Sequence, residues 1–250
     1  MIGSLTILMN KSTHKVTERI GTVLKTVLGA VKNSFLFCLW CGDPCQDIAL
    51  CPDCQNALPW LGRACTRCAL PLVEIENTLC HRCQLQPFPF SQIHALFRYE
   101  PPMSNFVSEL KFKGKIHYAK LFGQLMSQSL QEAPLPQAII PVPLHFNRLR
   151  SRGFNQAVEI ARPIAKNFGL PLLSNVCLRV QDTPQQITLN ANNRKKNLSK
   201  AFVLKQPFSY QHVAIIDDVM TTGSTLLALH EVLSQAGVLQ IEVWCLCRVL

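Results

Sequence analysis

The stretch Val213-Ala-Ile-Ile-Asp-Asp-Val-Met-Thr-Thr-Gly-Ser-Thr-Leu226 decides the fold of this 250-residue chain. It begins with four apolar residues, which are typical of a buried strand, and continues into two acids and a turn of small hydroxyl residues. The apolar spacing from about 223 to 236 then predicts a helix. The stretch therefore predicts a strand, a tight turn and a helix in direct succession.

This turn offers the groups that bind a phosphate. Its main-chain N–H groups and hydroxyls lie at the start of a helix, where the partial positive charge favours an anion. Gly223 allows the main chain to approach the phosphate closely. Asp217 and Asp218 end the strand, where they can accept hydrogen bonds from vicinal sugar hydroxyls. A lone acid pair would be interpreted as a helix cap, whereas the full eleven-residue pattern favours a ribose-phosphate site.

The chain from about residue 91 alternates predicted strands and helices. Strands are predicted at 93–99, 138–142, 175–180, 200–205, 212–217 and 240–248, and helices near 102–111, 118–130, 154–168 and 223–236. Such alternation is typical of an α/β domain with a mainly parallel sheet and helices on both faces. Ligands of such sheets bind at the carboxyl ends of the strands, where the acid pair is expected.

Eight of the twelve cysteines form four CxxC pairs, separated by nine, ten and eleven residues: Cys38, Cys41, Cys51, Cys54, Cys65, Cys68, Cys80 and Cys83. Each pair places two thiolates on one side of a tight turn, at the separation that tetrahedral zinc requires. The four pairs predict two structural Zn²⁺ ions in a double zinc ribbon. Sequential pairing and an interleaved cross-brace both agree with the spacing. Cys45 and His81 are interpreted as bystanders, and the other three cysteines as core residues: Cys177, Cys245 and Cys247.

Three segments follow from these patterns. Residues 1–34 are predicted to contain an amphipathic helix, residues 35–88 the zinc ribbons, and residues 89–250 the α/β domain. The helix is expected to pack on the protein, with a membrane surface as the alternative partner. No apolar stretch approaches the roughly 20 residues that span a bilayer, so no transmembrane segment is expected. Paired CxxC motifs favour metal over disulfides, and we expect a cytoplasmic protein.

The net charge of +10 is unevenly distributed. Residues 141–200 contain ten lysines and arginines against Glu159 and Asp182. A field concentrated in this way suits a polyanion, either a pyrophosphate group or a nucleic-acid backbone. A solvated basic face without a partner is the alternative interpretation.

Three stretches of the sequence resemble known motifs. The acid-pair stretch resembles the motif of type I phosphoribosyltransferases that binds phosphoribosyl pyrophosphate (PRPP). A second stretch, Pro141–Ala157, reads PVPLHFNRLRSRGFNQA. A third includes Arg179, Thr183, Gln186, Leu189, Arg194 and Asn197 and leads into Ala201-Phe202. Together with the CxxC module, these stretches resemble the ComF family (ComFC/GntX-type proteins), which is associated with natural transformation. The resemblance covers about residues 35–250.

This resemblance implies a type I phosphoribosyltransferase-like fold and assigns roles to the residues. Asp217 and Asp218 would form the catalytic pair at the ribose 2′ and 3′ hydroxyls, and Mg²⁺ would bridge the sugar and pyrophosphate of PRPP. Residues 143–153 would form the pyrophosphate loop. Residues 181–197, with Arg194, Lys195 and Lys196, would form a mobile loop that closes over PRPP. The implied PRPP-binding residues are Arg148, Arg150, Arg152, Asp217, Asp218, Val219, Met220, Thr221, Thr222, Gly223, Ser224 and Thr225.

Two functions of different classes agree with the sequence. The first is a phosphoribosyltransferase, or an enzyme-derived protein that binds Mg²⁺-PRPP or another ribose 5-phosphate, acting in competence and DNA uptake. The second is a single-stranded DNA-binding factor whose phosphoribosyltransferase site is non-catalytic. Family resemblance also implies other DNA-uptake proteins as partners. A purely structural zinc scaffold is a third interpretation, but it leaves the phosphate-binding turn unexplained.

Overall fold

A computed structural model describes residues 36–73, 76–181, 201–207 and 209–250. The chain divides into two compact units, with the boundary between Cys54 and Gln55. The N-terminal helix predicted within residues 1–34 and most of the predicted closing loop, including Arg194, Lys195 and Lys196, lie outside the described residues. The proposed division into residues 1–34, 35–88 and 89–250 stays a prediction.

The described part of the first unit is a small hairpin. Its two-residue strands β1 (Leu36–Phe37) and β2 (Pro44–Cys45) pair antiparallel. A short helix, α1 (Pro52–Asn56), follows and reaches past the unit boundary. Elements of this size bury little apolar surface, so a hairpin like this needs a further source of stability, such as a metal.

The second unit is organised around a four-stranded parallel sheet. The strands β3 (Ile93–Arg98), β4 (Ala138–Pro141), β7 (His212–Met220) and β8 (Gln240–Arg248) lie in the order β3-β8-β7-β4. A separate antiparallel pair is formed by β5 (Cys177–Arg179) and β6 (Phe202–Leu204). The predicted mainly parallel α/β sheet is confirmed.

Helices cover both faces of this sheet. The helices of this unit are α2 (His81–Leu85), α3 (Met103–Lys113), α4 (His117–Ser129), α5 (Phe146–Arg152), α6 (Gln156–Phe168) and α7 (Ser224–Gln235), of which α6 and α7 contact the two faces. Leucines of α7 share a core with Ile140, Val213 and Ile215. Successive strand residues face opposite sides, so Ile139 and Ile216 point to the other face, where α6 contacts β4 and β7. Helices on both faces are what the sequence predicts.

Two elements differ from the sequence-based expectation. The strand predicted at 212–217 continues to Met220, because β8 is equally long and pairs with it up to Arg248. The acid pair therefore lies within the strand and not at its end, where the sequence predicted it. Residues 146–152, predicted as part of a loop, form α5, whose first turn is capped by the His145 ring and whose last turn ends at Gly153 with φ of 82°.

Gly123 of α4 allows that helix to approach α6 closely. A Cβ at this position would lie 2.5 Å from both the carbonyl oxygen of Ile160 and Cγ of Pro163. Overpacking of this kind costs about 1–3 kcal/mol, whereas alanine gains about 1 kcal/mol in helix propensity. Because a main-chain oxygen cannot rotate away, we expect Gly123→Ala to lower the free energy of unfolding in a urea titration. Lys120→Ala, on the exposed side of α4, is the control and should change it by less than about 0.5 kcal/mol. A Gly123→Ala protein more stable than the wild type would contradict the close approach.

Candidate binding cleft and metal centres

A cleft of about 640 Å³ opens where β4 and β7 reach their carboxyl ends. This is the edge at which open α/β sheets bind ligands. Seven of the residues that the sequence assigns to PRPP binding line it: Arg148, Arg152, Asp217, Asp218, Val219, Thr221 and Thr225. Residues from three separate segments therefore meet in one concave site.

The acid pair forms one wall of the cleft and is held by neighbouring polar groups. Asp218 is only 3% exposed, and its Oδ2 lies 2.5 Å from Nζ of Lys111, which comes from the end of α3. Nε2 of Gln156 donates to Oδ1 of Asp218 over 3.4 Å. The Asp218 amide donates to Oδ1 of Asp217 over 2.9 Å. The carboxylates are thus fixed in place, as acceptors for sugar hydroxyls need to be.

The electrostatics of this wall favour an added cation or hydroxyl donors. Burial raises the pKa of Asp217 well above its usual value, and the charge of Asp218 raises it further. For Lys111, burial lowers the pKa, but attraction to Asp218 outweighs it and the net pKa is raised. Two adjacent carboxylates therefore share one ammonium group. Hydrogen-bond donors or a divalent cation would stabilise their ionised form.

Another part of the cleft lining is basic, and the positions of the arginines on α5 decide which of them reach it. Arg148 and Arg152 are four residues apart on α5, so they share one side of the helix and both line the cleft. Arg150 lies two residues from each, is exposed, and is not among the cleft residues. Arg152 also donates to Gln156, which connects the basic wall to Asp218. Arg179 from β5 adds a third guanidinium to the lining.

The turn between β7 and α7 contributes hydroxyls and main-chain groups. Thr221 and Thr225 line the cleft, while Thr222 and Ser224 form a hydroxyl pair 2.7 Å apart. The side chain of Met220 is buried in the core, so this residue can offer a ligand only its main chain. Gly223 precedes α7 with φ of 78°, a conformation that favours glycine.

Sequence reasoning missed Lys111 and Gln156. Three lysines lie between positions 111 and 115, and their spacing does not tell which one faces β7. Gln156 belongs to the family-like string at 141–157 but is an uncharged residue in a predicted helix. Gln156 reaches the acid pair because α6 packs against β7, and Lys111 because its side chain extends from the end of α3 to Asp218.

Lys111→Met is expected to destabilise the protein. Breaking a fully buried ion pair costs about 3–5 kcal/mol, and Lys111 is 20% exposed, so we expect a loss of roughly 2–3 kcal/mol at neutral pH. A lysine with a raised pKa contributes stability below its usual pKa, and here that contribution also needs ionised acids. The charge of Asp217 also attracts Lys111, so the part of the loss that depends on that charge should disappear as the pH falls through the raised pKa of Asp217.

Lys113→Met is the matched control for this prediction. Lys113 lies two residues further on, pairs with Glu109 at 3.0 Å, and its side chain is 66% exposed. Surface pairs contribute little, so this variant should lose less than about 1 kcal/mol. Unfolding by urea at pH 7 and pH 5 measures both variants. Equal losses for the two lysines would refute the assigned contact between Lys111 and Asp218.

The eight CxxC cysteines form two groups, each able to hold a metal ion. Within each group the sulfurs lie within 4.8 Å of one another. Two Sγ–Sγ distances, Cys41–Cys51 and Cys68–Cys80, are 3.6 Å. Tetrahedral coordination at Zn–S of about 2.3 Å requires roughly 3.8 Å, whereas a disulfide would bring the sulfurs to about 2 Å. The groups are sequential, Cys38 to Cys54 and Cys65 to Cys83, and include neither Cys45 nor His81.

Main-chain N–H groups favour thiolates in both groups. Burial by itself would raise the pKa of Cys38, but hydrogen bonds from the main chain outweigh it and lower the pKa to about 6. The same balance lowers the pKa of Cys65 to about 7. Burial, with hydrogen bonds from neighbouring thiols, raises the pKa of Cys54, Cys68 and Cys83, and a divalent ion would favour their thiolate form. The donor sets fit structural zinc because each brings four sulfurs together. The remaining three cysteines, Cys177, Cys245 and Cys247, are buried in strands as predicted.

Curated proteins similar to this chain carry names connected with DNA use and competence. A DNA utilization protein YhgH of Salmonella typhi is 36% identical over 207 residues, which are 80% of this chain and 91% of the relative. Competence protein F of Haemophilus influenzae is 33% identical over 80% of this chain and 90% of its own length. Competence protein ComFC of Streptococcus pneumoniae is 27% identical over 91% of this chain and 97% of its own length. No family model matches the chain.

Fold and sites together define a class: a parallel α/β protein with a charged cleft at the strand ends and two tetra-cysteine groups. Among proteins of this class, the extent of the similarity to YhgH and competence protein F decides the family. The chain belongs to the ComF family. Across the described residues, no helix is both long and apolar enough to cross a membrane.

Proposed function

We propose that the cleft binds Mg²⁺-PRPP or another 5-phosphorylated ribose, and that the protein acts through this site in DNA uptake and transformation. One observation carries the proposal: the acid pair, Thr221 and Thr225 of the turn, and two arginines of α5, Arg148 and Arg152, line a single cleft. The names of the competence proteins among its relatives support the cellular role.

Different residues of the cleft would bind different parts of the ligand. Thr221, Thr225 and the main-chain N–H groups of their turn would bind the 5-phosphate at the start of α7. Asp217 and Asp218 would accept hydrogen bonds from the ribose hydroxyls. The guanidinium groups of Arg148 and Arg152 would neutralise the pyrophosphate.

Transfer of the ribose extends this proposal. The bond between the anomeric carbon and pyrophosphate would break, pyrophosphate would leave with the bonding electrons, and an acceptor nucleophile would bond to that carbon. Mg²⁺, when bound, would supply positive charge to the leaving group. The cleft contributes position and charge at this step, which is where such reactions gain most of their rate.

Single-stranded DNA is the second candidate ligand. Two aromatic side chains near the basic residues are exposed, Phe112 at 77% and Phe146 at 67%, and Arg152 lies 5.8 Å from the Phe112 ring centroid. Bases stack on such rings while lysines and arginines follow the phosphates. DNA held in this way should dissociate steeply as salt is added.

Calorimetric titration tests the ligand directly. We expect saturable binding of Mg²⁺-PRPP and of ribose 5-phosphate, and none of ribose, which lacks the phosphate. Arg152→Gln should weaken PRPP binding about tenfold or more because a charged hydrogen bond is worth about 1.5–3 kcal/mol. Arg162→Gln, an exposed arginine paired with Glu159, should leave the affinity within about twofold. If PRPP and ribose behave alike, the proposed ligand is wrong. Competition by an oligonucleotide of deoxythymidine would favour the second candidate.

A further inference from the structure

Arg248 connects the second cysteine group to the turn that follows the acid pair. It ends β8, is only 7% exposed, and donates from Nε to the carbonyl oxygen of Cys68 over 2.9 Å. Its Nη1 donates to the carbonyl oxygens of Met220 at 3.1 Å, Thr221 at 2.5 Å and Val249 at 2.6 Å. One guanidinium thus contacts both a cysteine of the metal group and the first residues of the turn.

All four acceptors that the described residues offer Arg248 are main-chain carbonyls. A buried guanidinium is costly unless a negative charge lies nearby. Four thiolates around one divalent ion carry a net negative charge, and Cys68 belongs to such a group. The metal-loaded group would therefore provide the counter-charge that Arg248 lacks among its direct partners.

Phe88 makes a second, apolar connection between the same two places. It packs against the buried cysteines of the second group, Cys65, Cys68 and Cys83. On its other side, Cε1 of Phe88 lies 3.3 Å from the position that a Cβ on Gly223 would occupy. Gly223, the residue before α7, thus lies next to an aromatic ring that packs against the cysteines of the second group.

These contacts bear on the groups that would bind a phosphate. A peptide bond is planar and trans, so fixing the carbonyl of one residue fixes the direction of the next N–H. Arg248 donates hydrogen bonds to the carbonyls of Met220 and Thr221, and thereby fixes the directions in which the N–H groups of Thr221 and Thr222 point. Without this support, the turn would have to order its amides at the moment of binding, at a cost in conformational entropy.

We propose that the metal at Cys65, Cys68, Cys80 and Cys83 positions the Met220–Thr225 turn through Arg248 and Phe88, so that metal binding and phosphate binding strengthen each other. The ligand in this inference rests on the function proposed above. Arg248 is a positioning residue, since it acts through main-chain carbonyls. Linkage is reciprocal, so the ligand must hold the metal as much as the metal favours the ligand.

Competition with a chromophoric zinc chelator tests the linkage on the full-length protein. With saturating Mg²⁺ and ribose 5-phosphate, we expect the second group to need roughly tenfold more chelator for half removal. Cys51→Ser, which leaves the second group as the intact one, should show the shift. Cys65→Ser, which leaves the first group, should show none. Equal shifts in both variants, or no shift in Cys51→Ser while ribose 5-phosphate still binds, would overturn the inference.

Hydrogen exchange provides a readout that does not depend on any ligand. In Arg248→Lys, the amides of residues 221–223 should exchange about tenfold faster, while the zinc content and exchange in Val213–Ile215 stay as in the wild type. Arg63→Lys, an exposed arginine of the same cysteine module, is the matched control and should not change these rates.

If Arg248→Lys does not fold, Phe88→Leu takes its place. Unchanged amide exchange at residues 221–223 in a folded variant would refute the positioning of the turn by Arg248 and Phe88, even if PRPP binds. Conversely, faster exchange in a protein that binds no ribose 5-phosphate would uphold the bridge and reject the proposed ligand.

Discussion

Asp217→Asn combined with Asp218→Asn is expected to weaken Mg²⁺-PRPP binding at least about 100-fold. Each substitution keeps the shape of the side chain but removes a negative charge, and a hydrogen bond to a charged group is worth about 1.5–3 kcal/mol. Two such losses amount to about 3 kcal/mol or more, which corresponds to this factor. Isothermal calorimetry at fixed Mg²⁺ concentration measures the change.

The two single variants separate the contribution of the acid pair to PRPP binding from its contribution to the stability of the protein. Asp217→Asn leaves the contact between Lys111 and Asp218 intact, so it should weaken PRPP binding about tenfold with little change in stability. Asp218→Asn removes the partner of Lys111 and should lower both affinity and stability. Glu159→Gln, an acid paired with Arg162 outside the cleft lining, serves as the control. Affinity of the double variant equal to that of the wild type would mean that the acid pair takes no part in binding. Loss of oligonucleotide binding in the same variant would place both ligands in one site.

Local patterns explain why much of this architecture could be predicted. The strand at 213–216, the turn and the helix from about 223 are consecutive in the chain, so their order is visible in the sequence. CxxC pairs are likewise local, and the two cysteine groups in the structure are the sequential ones. Apolar runs located three of the parallel strands because β4, β7 and β8 are buried over most of their length.

Contacts between distant segments account for what the sequence did not reveal. Lys111 meets Asp218 across 107 positions of the chain, because its side chain extends from the end of α3 to β7. Arg248 is the third residue from the end of the sequence, and no local pattern shows that β8 brings it to the carbonyl oxygen of Cys68. The helix α5 was missed for a different reason: its seven residues include three arginines and lack apolar periodicity. Its caps at His145 and Gly153 define it only once the main-chain geometry is known.

Zinc removal should have the largest effect on stability. The hairpin of the first unit pairs only two residues on each strand, so binding of a structural metal is expected to supply most of its folding free energy. Structural zinc in comparable small modules binds with about 10–16 kcal/mol. We expect chelation to abolish protection of amides at residues 36–54 in hydrogen exchange, and to lower the melting temperature of the second unit because Cys65, Cys68 and Cys83 are buried there.

Single cysteine variants test the stoichiometry and the pairing together. Wild-type protein should hold two equivalents of zinc per chain, and Cys51→Ser and Cys65→Ser one each, as measured by atomic emission after dialysis. Combining Cys41→Ser with Cys51→Ser should still leave one equivalent, because sequential grouping assigns both residues to the same ion. Under a cross-brace, which joins the first CxxC pair to the third and the second to the fourth, Cys41 and Cys51 would belong to different ions, and this double variant would hold no zinc. Cys45→Ser is the matched control, since Cys45 lies in the same hairpin but outside both groups, and it should retain two equivalents. A wild-type protein that folds with no metal, or a Cys45→Ser variant that loses one equivalent, would contradict this assignment of ligands.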